Sequence, residues 1–348
     1  MNVPDYYIVV PPESVKRAGR VRKVQFGTSG AELAAWVEPR KANGYELFGL
    51  YCCEPSTGKH IELMDYGWYR RNSENESETL LSPSTRWLVS WTEQTEDNFT
   101  ILRCDDASNP SVPLRQGYVD YINATFLFAP YNALVGIFTE CDEESEFVAR
   151  VLSLDISKLG KPWRTERRIN PLTQAIYEVA VCSFKWKTLL GKAEWDRPVC
   201  AALSADGRFL AVADEPGNVH VADLKRKRVV AVHQKARLTA DRVIGRVAID
   251  DTGERVFRTA NSVLHGPNWQ FKPPTGKPTD FALSPDQRTV CAVFDTGHAR
   301  TLDAATGAVR KELRWGKNPL YSVCFAPDGL TCAAGSSNGR VVIWDVEF

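Results

Sequence analysis

The chain has 348 residues, of which 43% are hydrophobic and 25% are charged, as in ordinary soluble globular proteins. Basic and acidic residues number 43 each, so the formal net charge is zero. This balance excludes wholesale attraction to nucleic acid or to an anionic membrane, although local charged patches are still allowed.

The first predicted element is a strand at Tyr6–Val10, a run of aromatic and β-branched residues. It is too short for the core of a signal peptide or for a membrane span, and no later apolar run reaches that length. The sequence therefore predicts a soluble, cytoplasmic protein without membrane contact. The nine cysteines lie in strand-like runs without zinc-ligand spacing, which indicates buried thiols in a reducing compartment.

Along the rest of the chain, a tight turn followed by an apolar strand recurs seven times. The predicted turns start at Gly27, Ser82, Ala129, Ser204, Asp250, Ser284 and Ala326. The intervals between them are 55, 47, 75, 46, 34 and 42 residues, and all but the third lie near the period of about 40–50 residues that is typical of propeller blades.

Three of these units agree in detail. From Ser204, Ser284 and Ala326, an aspartate follows 19 residues later, and a glycine stands six residues before that aspartate. Asp, Asn and Gly at the turns accept the backbone angles that short hairpins need. Two matching offsets in three units indicate true repeats.

These units resemble the repeats of WD-repeat propellers. The resemblance is carried by the Ser/Ala-Pro-Asp-Gly turns, by Trp344-Asp345, and by Asp223 and Asp303 at corresponding strand ends, and it covers most of the chain from about Val24 onward. It implies an all-β, seven-bladed propeller of four-stranded antiparallel blades in a single domain, residues 1–348. Only one Trp-Asp pair is present and the Gly-His dipeptide that the family has before each blade is absent, so the family's buried Asp–His–Ser–Trp network is not expected.

Two segments need their own interpretation. Strand 6–10 is predicted to be the outer strand of the blade at 320–348, because propellers close their ring by borrowing a strand from the other terminus. Residues 157–198 are predicted to hold a long connection or an extra strand. The run 175–184 is long enough for the outer strand of the blade that precedes it, and the alternative is an eighth, degenerate blade.

No motif predicts catalysis. The five histidines are dispersed without metal-ligand spacing, the prominent serines are turn residues, and there is no phosphate-binding glycine loop. The sequence therefore predicts a non-enzymatic protein without cofactor, metal site or catalytic residue.

Aromatic residues beside arginine are typical of interface hot spots. Such residues stand in predicted connections between blades, which are expected at one face of a propeller. The candidate partner-binding residues are Trp68, Tyr69, Arg70, Arg71, Trp186, Trp195, Trp269, Arg314 and Trp315. The structural alternative is that each tryptophan caps the seam beside its own blade.

The leading hypothesis is a scaffold, monomeric on its own, that binds a protein partner through this face. Acidic loops at 93–97 and 142–146 are expected at the same face, and their mixture with arginine favours a protein over nucleic acid. A second hypothesis is an enzyme or small-ligand binder at the channel mouth. A third is RNA or DNA binding through Lys225–Arg228 and Arg164–Arg168.

Overall fold

A computed structural model describes most of the chain. The described residues are 6–9, 18–39, 46–57, 60–69, 77–84, 87–92, 99–103, 114–115, 123–129, 133–141, 147–156, 164–169, 176–181, 186–193, 195, 198–233 and 244–346. They are almost entirely strands and turns. In the first part of the chain, the strands are β1 (Tyr6–Val9), β2 (Ala18–Phe26), β3 (Leu33–Pro39), β4 (Glu46–Cys53), β5 (His60–Tyr69), β6 (Ser77–Leu81), β7 (Trp87–Thr92), β8 (Phe99–Arg103), β9 (Leu114–Arg115), β10 (Asn123–Ala129), β11 (Ala133–Cys141), β12 (Phe147–Asp155), β13 (Arg164–Ile169), β14 (Ile176–Val181) and β15 (Lys187–Ala193). The second part has β16 (Pro198–Leu203), β17 (Phe209–Asp214), β18 (Val219–Asp223), β19 (Arg228–His233), β20 (Ile244–Ile249), β21 (Val256–Ala260), β22 (Val263–His265), β23 (Gln270–Phe271), β24 (Pro278–Leu283), β25 (Thr289–Phe294), β26 (His298–Asp303), β27 (Val309–Arg314), β28 (Leu320–Phe325), β29 (Thr331–Ser336) and β30 (Val341–Asp345).

These strands form seven sheets within the described residues, and six of the sheets have four strands. We number the sheets by their first strands: sheet 1 is β2-β3-β4-β5, sheet 2 is β6-β7-β8-β9-β14-β13, sheet 3 is β10-β11-β12-β15, sheet 4 is β16-β17-β18-β19, sheet 5 is β20-β21-β22-β23, sheet 6 is β24-β25-β26-β27 and sheet 7 is β28-β29-β30-β1. The prediction of an all-β chain built mostly of four-stranded antiparallel sheets is confirmed.

The chain divides into two compact units. Unit 1 comprises residues 1–70 and 257–348 and contains sheets 1, 6 and 7 with most of β21 and all of β22 and β23. Unit 2 comprises residues 71–256 and contains sheets 2, 3 and 4 with β20. The prediction of one domain over the whole chain stays a prediction.

Each of the seven predicted turns lies between the first and second strands of one sheet. At Ser204 the hydroxyl donates to Asp206 Oδ1 (2.6 Å) and accepts from the Phe209 amide (2.9 Å). The corresponding turn at Ser284 repeats both bonds at the same distances, with Asp286 and Thr289 as partners. The repeated sequence pattern is therefore a repeated network, in which side chains satisfy the backbone groups that the reversal leaves unpaired.

One position departs from this turn chemistry. The fourth turn residue has a positive φ, which is 73° at Gly207 and 75° at Gly329, whereas in sheet 6 the same place is held by Gln287 with φ 63°. A side chain in this region costs roughly 1–2 kcal/mol, and the extra freedom of glycine in the unfolded chain offsets part of that.

We therefore expect Gln287→Gly to raise the free energy of unfolding by about 0.5–1 kcal/mol, measured by urea unfolding, with Gly329→Gln as the opposite change. A lower stability of Gln287→Gly would contradict this account.

Strand β1 pairs with β30 in the predicted place. Tyr6 lies opposite Trp344 and Val9 lies opposite Val341, in an antiparallel register. This pairing covers the side of β30 that faces away from β29, so the strand carrying Trp344 is paired on both sides. The predicted use of the N-terminal strand in the sheet at 320–348 is confirmed.

The interpretation of 175–184 as the outer strand of the preceding blade is wrong. The outer strand of sheet 3 is β15, Lys187–Ala193, which pairs with β12 through two register shifts. Strand β14 instead pairs with β13 and, in parallel, with β9, so this hairpin extends sheet 2 to six strands. Within the described residues, the segment adds to an existing sheet and forms no separate blade.

Neighbouring sheets of unit 1 are joined by buried contacts and polar bonds. The Val24 amide donates to Ser322 Oγ (3.0 Å), and the Val323 amide donates to the buried Asp280 carboxylate (3.1 Å). A methyl group on Gly335 would come within 2.4 Å of Val21 Cγ1. The side chain of Val21 in sheet 1 therefore occupies the space beside Gly335 and leaves no room for a larger residue, which explains this glycine in the middle of a strand.

Carboxylates with depressed pKa values link stability to pH. A hydrogen bond from Arg310, together with bonds from Thr306, lowers the pKa of Asp303 from 3.8 to about 2. Because the folded-state pKa is lower than the unfolded one, the stabilisation is complete above about pH 4 and is lost as the pH falls through about 2. We expect Asp303→Asn to lower the melting temperature at pH 6 and to have a much smaller effect at pH 2, measured by scanning calorimetry. An equal loss at both pH values would contradict the role of this charge.

Candidate functional site

Segments at one edge of each sheet are candidates for binding. In an antiparallel sheet the turn between the second and third strands and the segment after the outer strand share an edge. In unit 1 four such segments of sheets 5, 6 and 7 are joined to one another by hydrogen bonds. We call them together the basic edge: residues 272–277, 295–297, 314–319 and 336–340.

Backbone hydrogen bonds join these segments into a continuous strip. The amide of Lys277 donates to Asp295 Oδ1 (2.8 Å), and the Asp295 amide donates back to the carbonyl of Lys277 (3.1 Å). The Trp315 amide donates to the carbonyl of Gly297 (3.3 Å). The Ser337 amide then donates to the carbonyl of Pro319 (2.8 Å). Segment 272–277 is therefore held against turn 295–297, and segment 314–319 is held against the turns on both sides of it.

The strip is strongly positive. It contains one acidic residue, the partly buried Asp295, whose carboxylate accepts from the Lys277 amide. It contains five exposed basic residues, which are Lys272, Lys277, Arg314, Lys317 and Arg340. In a chain with zero net charge, this local excess creates a positive potential that attracts an acidic surface.

The orientation of Arg314 is fixed. Its Nε and Nη2 donate to Glu312 Oε1 at 2.8 and 2.6 Å, while Arg300 Nε donates to the other carboxylate oxygen at 2.8 Å. The bonds from Arg314 and then Arg300 hold the pKa of Glu312 below its usual range. The side chain of Arg314 is nevertheless 68% exposed, so a preorganised guanidinium faces solvent.

His298, the first residue of β26, lies beside this arginine. Burial and the charges of Arg314 and Arg300 lower the pKa of His298 below 6.5, against a smaller raising effect of Glu312. The imidazole is therefore neutral at neutral pH. It acquires a charge only in acid, where it would add to the positive strip.

Trp315 anchors the strip to the core. Its ring lies 4.6 Å from that of Trp344, and it is partly buried beside the apolar cluster between sheets 6 and 7. Glycine is required at the turn below it, because a Cβ on Gly297 would lie 2.7 Å from the carbonyl oxygen of Gly316. The indole N–H of Trp344 has no hydrogen-bond partner in the described part of the chain, which agrees with the absence of the Gly-His dipeptide that the family has before each blade.

The predicted candidates divide between two edges. Trp195 and Trp315 follow outer strands and Arg314 is the last residue of the outer strand β27, so the three share one type of edge. Trp68 and Tyr69 also reach this edge, but they are the last residues of β5 and not part of a connection as predicted. A register shift between Glu46 and Phe48 breaks the alternation there while the pairing continues. Arg70 and Arg71 lie outside the described residues, as do the acidic loops 93–97 and 142–146.

Two candidates lie at the opposite edge, so the predicted common face is wrong for them. Trp269 stands in the turn between β22 and β23, before the outer strand of sheet 5. Strand β23 has two residues, too few to be recognised from alternation. Trp186 immediately precedes β15 and packs edge-on against Phe138 at 5.3 Å.

Contacts inside the fold account for several tryptophans. Trp195 is 2% exposed and lies between sheets 3 and 4, with its ring 5.8 Å from that of His220. Trp269 donates from Nε1 to the Ala304 carbonyl of sheet 6 (3.0 Å). Together with Trp315, these residues fill seams between sheets, as the structural alternative predicted. Their role in partner binding stays a prediction.

Sequence reasoning missed four of the five exposed cations at the basic edge. Lys272, Lys277, Lys317 and Arg340 are single basic residues in separate turns, without a local cluster to mark them. A signal was present in their positions. Each of these residues either follows an outer strand or lies in the turn between the second and third strands of a sheet. Among the described residues, no group of three or more His, Cys, Asp or Glu side chains is arranged to hold a metal ion.

Within the part of the chain that the structure describes, no helix has the length and apolar character of a membrane span.

Comparison with known proteins agrees with the fold. Residues 309–345, from β27 to β30, match the family model of the WD domain, G-beta repeat. The chain is also similar to the solved β-propeller domain of Cps50 (Swd1) from Myceliophteria thermophila. The two share 15% identity over 95% of this chain and 98% of that one, with a TM-score of 0.59. The second similarity shows a β-propeller fold, and the first shows one WD repeat at residues 309–345.

Proposed function

Starting from the WD-repeat propeller fold, we propose that this protein is a non-enzymatic scaffold that binds an acidic surface of a protein partner through its basic edge. The observation that carries the proposal is the strip of five exposed cations held by hydrogen bonds across the turns of sheets 5, 6 and 7. A rigid sheet edge presents such side chains without the entropy loss of ordering a flexible loop.

The scaffold in this proposal is one seven-bladed ring. Its support is the set of seven sheets in the described residues, the seven turns in equivalent places and the pairing of β1 with β30. In a closed ring the first and last blades pack against each other, so neither is left at a free end.

A protein partner is favoured over nucleic acid at the basic edge. Binding to single-stranded nucleic acid usually requires exposed aromatic faces on which the bases stack. The aromatic residue of the strip, Trp315, is instead packed on Trp344 at 4.6 Å. The remaining exposed groups are amides, hydroxyls and cations, which suit carboxylates and backbone groups of a protein.

The test begins with affinity purification of the tagged protein from its native source, identification of the partner by mass spectrometry, and measurement of the Kd with the purified pair. The triple variant Lys277→Glu, Lys317→Glu and Arg340→Glu reverses three exposed charges. We expect it to raise the Kd by at least about tenfold, because like charges then face each other. The wild-type Kd should also rise with salt concentration.

The matched control reverses two exposed cations elsewhere, Lys187→Glu on β15 and Arg288→Glu at the turn between β24 and β25. This control should leave the Kd of the same partner unchanged. An unchanged Kd for the triple variant would remove the basic edge from the function, and so would an RNA partner. Melting temperatures of all variants establish that each is folded.

A further inference from the structure

Strand β19 is an outer strand with an unusually apolar exposed surface. Its sequence is RVVAVH, and Val229, Val230 and Val232 are 37%, 41% and 49% exposed. These are three of the five large exposed hydrophobic side chains in the described residues, the others being Val309 and Leu330. Three neighbouring exposed valines on a strand are a feature that soluble proteins usually avoid.

The register explains why the three valines cluster. Val229 lies opposite Ala222 and Val232 lies opposite His220, so both share one face of the sheet. A bulge falls between them, because Val221 pairs with Ala231 and Ala222 pairs with Val229. The extra residue of the bulge is Val230, which breaks the alternation. The bulge therefore collects the apolar side chains that a regular strand would divide between two faces.

The backbone of β19 is also available for pairing. Within the described residues β19 pairs only with β18, so it is the edge of sheet 4. Every second residue of an edge strand directs its N–H and C=O away from the sheet. Such an edge is a template for a strand from another chain.

The turn leading into this strand is basic. Lys225, Arg226, Lys227 and Arg228 are all exposed. Arg226 is tied to the buried Asp223, to which its amide donates at 2.9 Å and beside which its Nε lies at 3.6 Å. Arg208 Nη2 also donates to that carboxylate (2.7 Å), so Asp223 is fully occupied. Positive charge is thus left in excess at the end of β19 where Arg228 stands.

We propose that β19 docks an extended segment of a protein partner as an added strand, with aliphatic residues against Val229, Val230 and Val232 and acidic residues against the turn 225–228. Charge complementarity selects the acidic end of that segment. Exposed β-branched side chains next to a free strand edge suit an added strand and offer no aromatic face to a nucleic-acid base. This docking surface lies in unit 2 and is independent of the basic edge.

The experiment measures binding of fluorescent peptides to the full-length protein by anisotropy. Two acidic probes are used. TVTVTVDDD places its aspartates at the basic turn when it pairs antiparallel to β19, and DDDTVTVTV does so when it pairs parallel. Probes with lysine in place of aspartate are the charge controls. We expect one acidic probe to bind at least tenfold more tightly than its lysine counterpart. N-methylation of alternate residues should abolish binding in one frame and spare it in the other, because it removes donors from one edge of the added strand.

Variants of the protein locate the site. The double variant Val230→Thr and Val232→Thr keeps β-branched shape but removes apolar surface, and we expect it to weaken binding at least threefold. Val309→Thr is the matched control, since Val309 is 44% exposed on the outer strand of sheet 6, and it should have no effect. Lys225→Glu with Lys227→Glu should weaken binding of the acidic probe, whereas the triple variant of the basic edge should leave this binding unchanged.

Several results would overturn the proposal. They are equal affinity for the acidic and lysine probes, no binding of either acidic probe at millimolar concentration, and loss of binding in both N-methylation frames. Competition by an oligouridine RNA, together with insensitivity to the valine variants, would instead assign the turn to nucleic acid. Failure here leaves the basic edge untouched, because the two tests expect loss of binding from different substitutions.

Discussion

Removal of residues 1–12 is expected to lower the free energy of unfolding by about 3 kcal/mol and to promote aggregation. The deletion removes β1, whose four residues pair with Val341–Trp344. Each backbone hydrogen bond lost contributes about 0.5–1.5 kcal/mol, and several are lost together. The deletion also leaves β30 as an uncovered edge beside the apolar core of sheet 7, which favours pairing between molecules.

Two matched variants separate pairing from other effects of the truncation. Removal of residues 1–5 retains β1 and should leave the melting temperature unchanged. Ile8→Pro keeps the full length but removes one strand N–H and constrains the backbone, so it should reproduce much of the loss. Calorimetry gives the melting temperature, and light scattering gives the aggregation. Full stability of the longer truncation would mean that β1 contributes little to the fold.

The second large effect is expected for Trp195→Ala. The side chain of Trp195 is 2% exposed and packs with Leu210, Val212 and Ala222 of sheet 4. Truncation of a buried aromatic residue to alanine costs about 3–5 kcal/mol, because the apolar contacts are lost and a cavity is left. We expect this loss in urea unfolding followed by circular dichroism, and a smaller loss for Trp195→Phe.

The same variant distinguishes the two interpretations of this tryptophan. A residue that fills a seam loses stability on truncation but retains partner binding below the unfolding temperature. A partner contact would show the reverse, with normal stability and a raised Kd. The corresponding Trp315→Ala variant should be milder in stability, since Trp315 is only partly buried.

The sequence predicts the sheets well where turn chemistry is local. Ser204 and Ser284 form the same bonds to Asp206 and Asp286 because the pattern places a hydroxyl, a carboxylate and a positive φ at fixed spacing. These interactions depend on residues within six positions of one another. Local patterns of this kind are visible without knowledge of the tertiary structure.

The sequence-based predictions are wrong where the choice of strand partner decides the structure. The runs 176–181 and 187–193 are both apolar enough to be the outer strand of sheet 3. The choice between them depends on pairing with β12 or with β9, and periodicity contains no information on that partner. For the same reason the sequence predicts Trp186 in a connection between blades, whereas this residue immediately precedes the outer strand of sheet 3.

The basic edge was unpredictable for a related reason. Its cations come from turns as distant as Lys272 and Arg340, and each is an ordinary surface residue by itself. Only the hydrogen bonds between segments, such as that from Ser337 to Pro319, place them on one strip. Arg314 and Trp315 were selected because they are adjacent in sequence, which is the type of signal that a sequence provides.

The pairing of β1 with β30 has a consequence for biosynthesis. Residues Tyr6–Val9 leave the ribosome early, but their partners Val341–Trp344 are made more than 330 residues later. At about 5–20 residues per second, the early strand waits tens of seconds without the strand that it pairs with. Chaperones that bind short extended apolar segments during translation should therefore engage this strand, and release it only when the last sheet is complete.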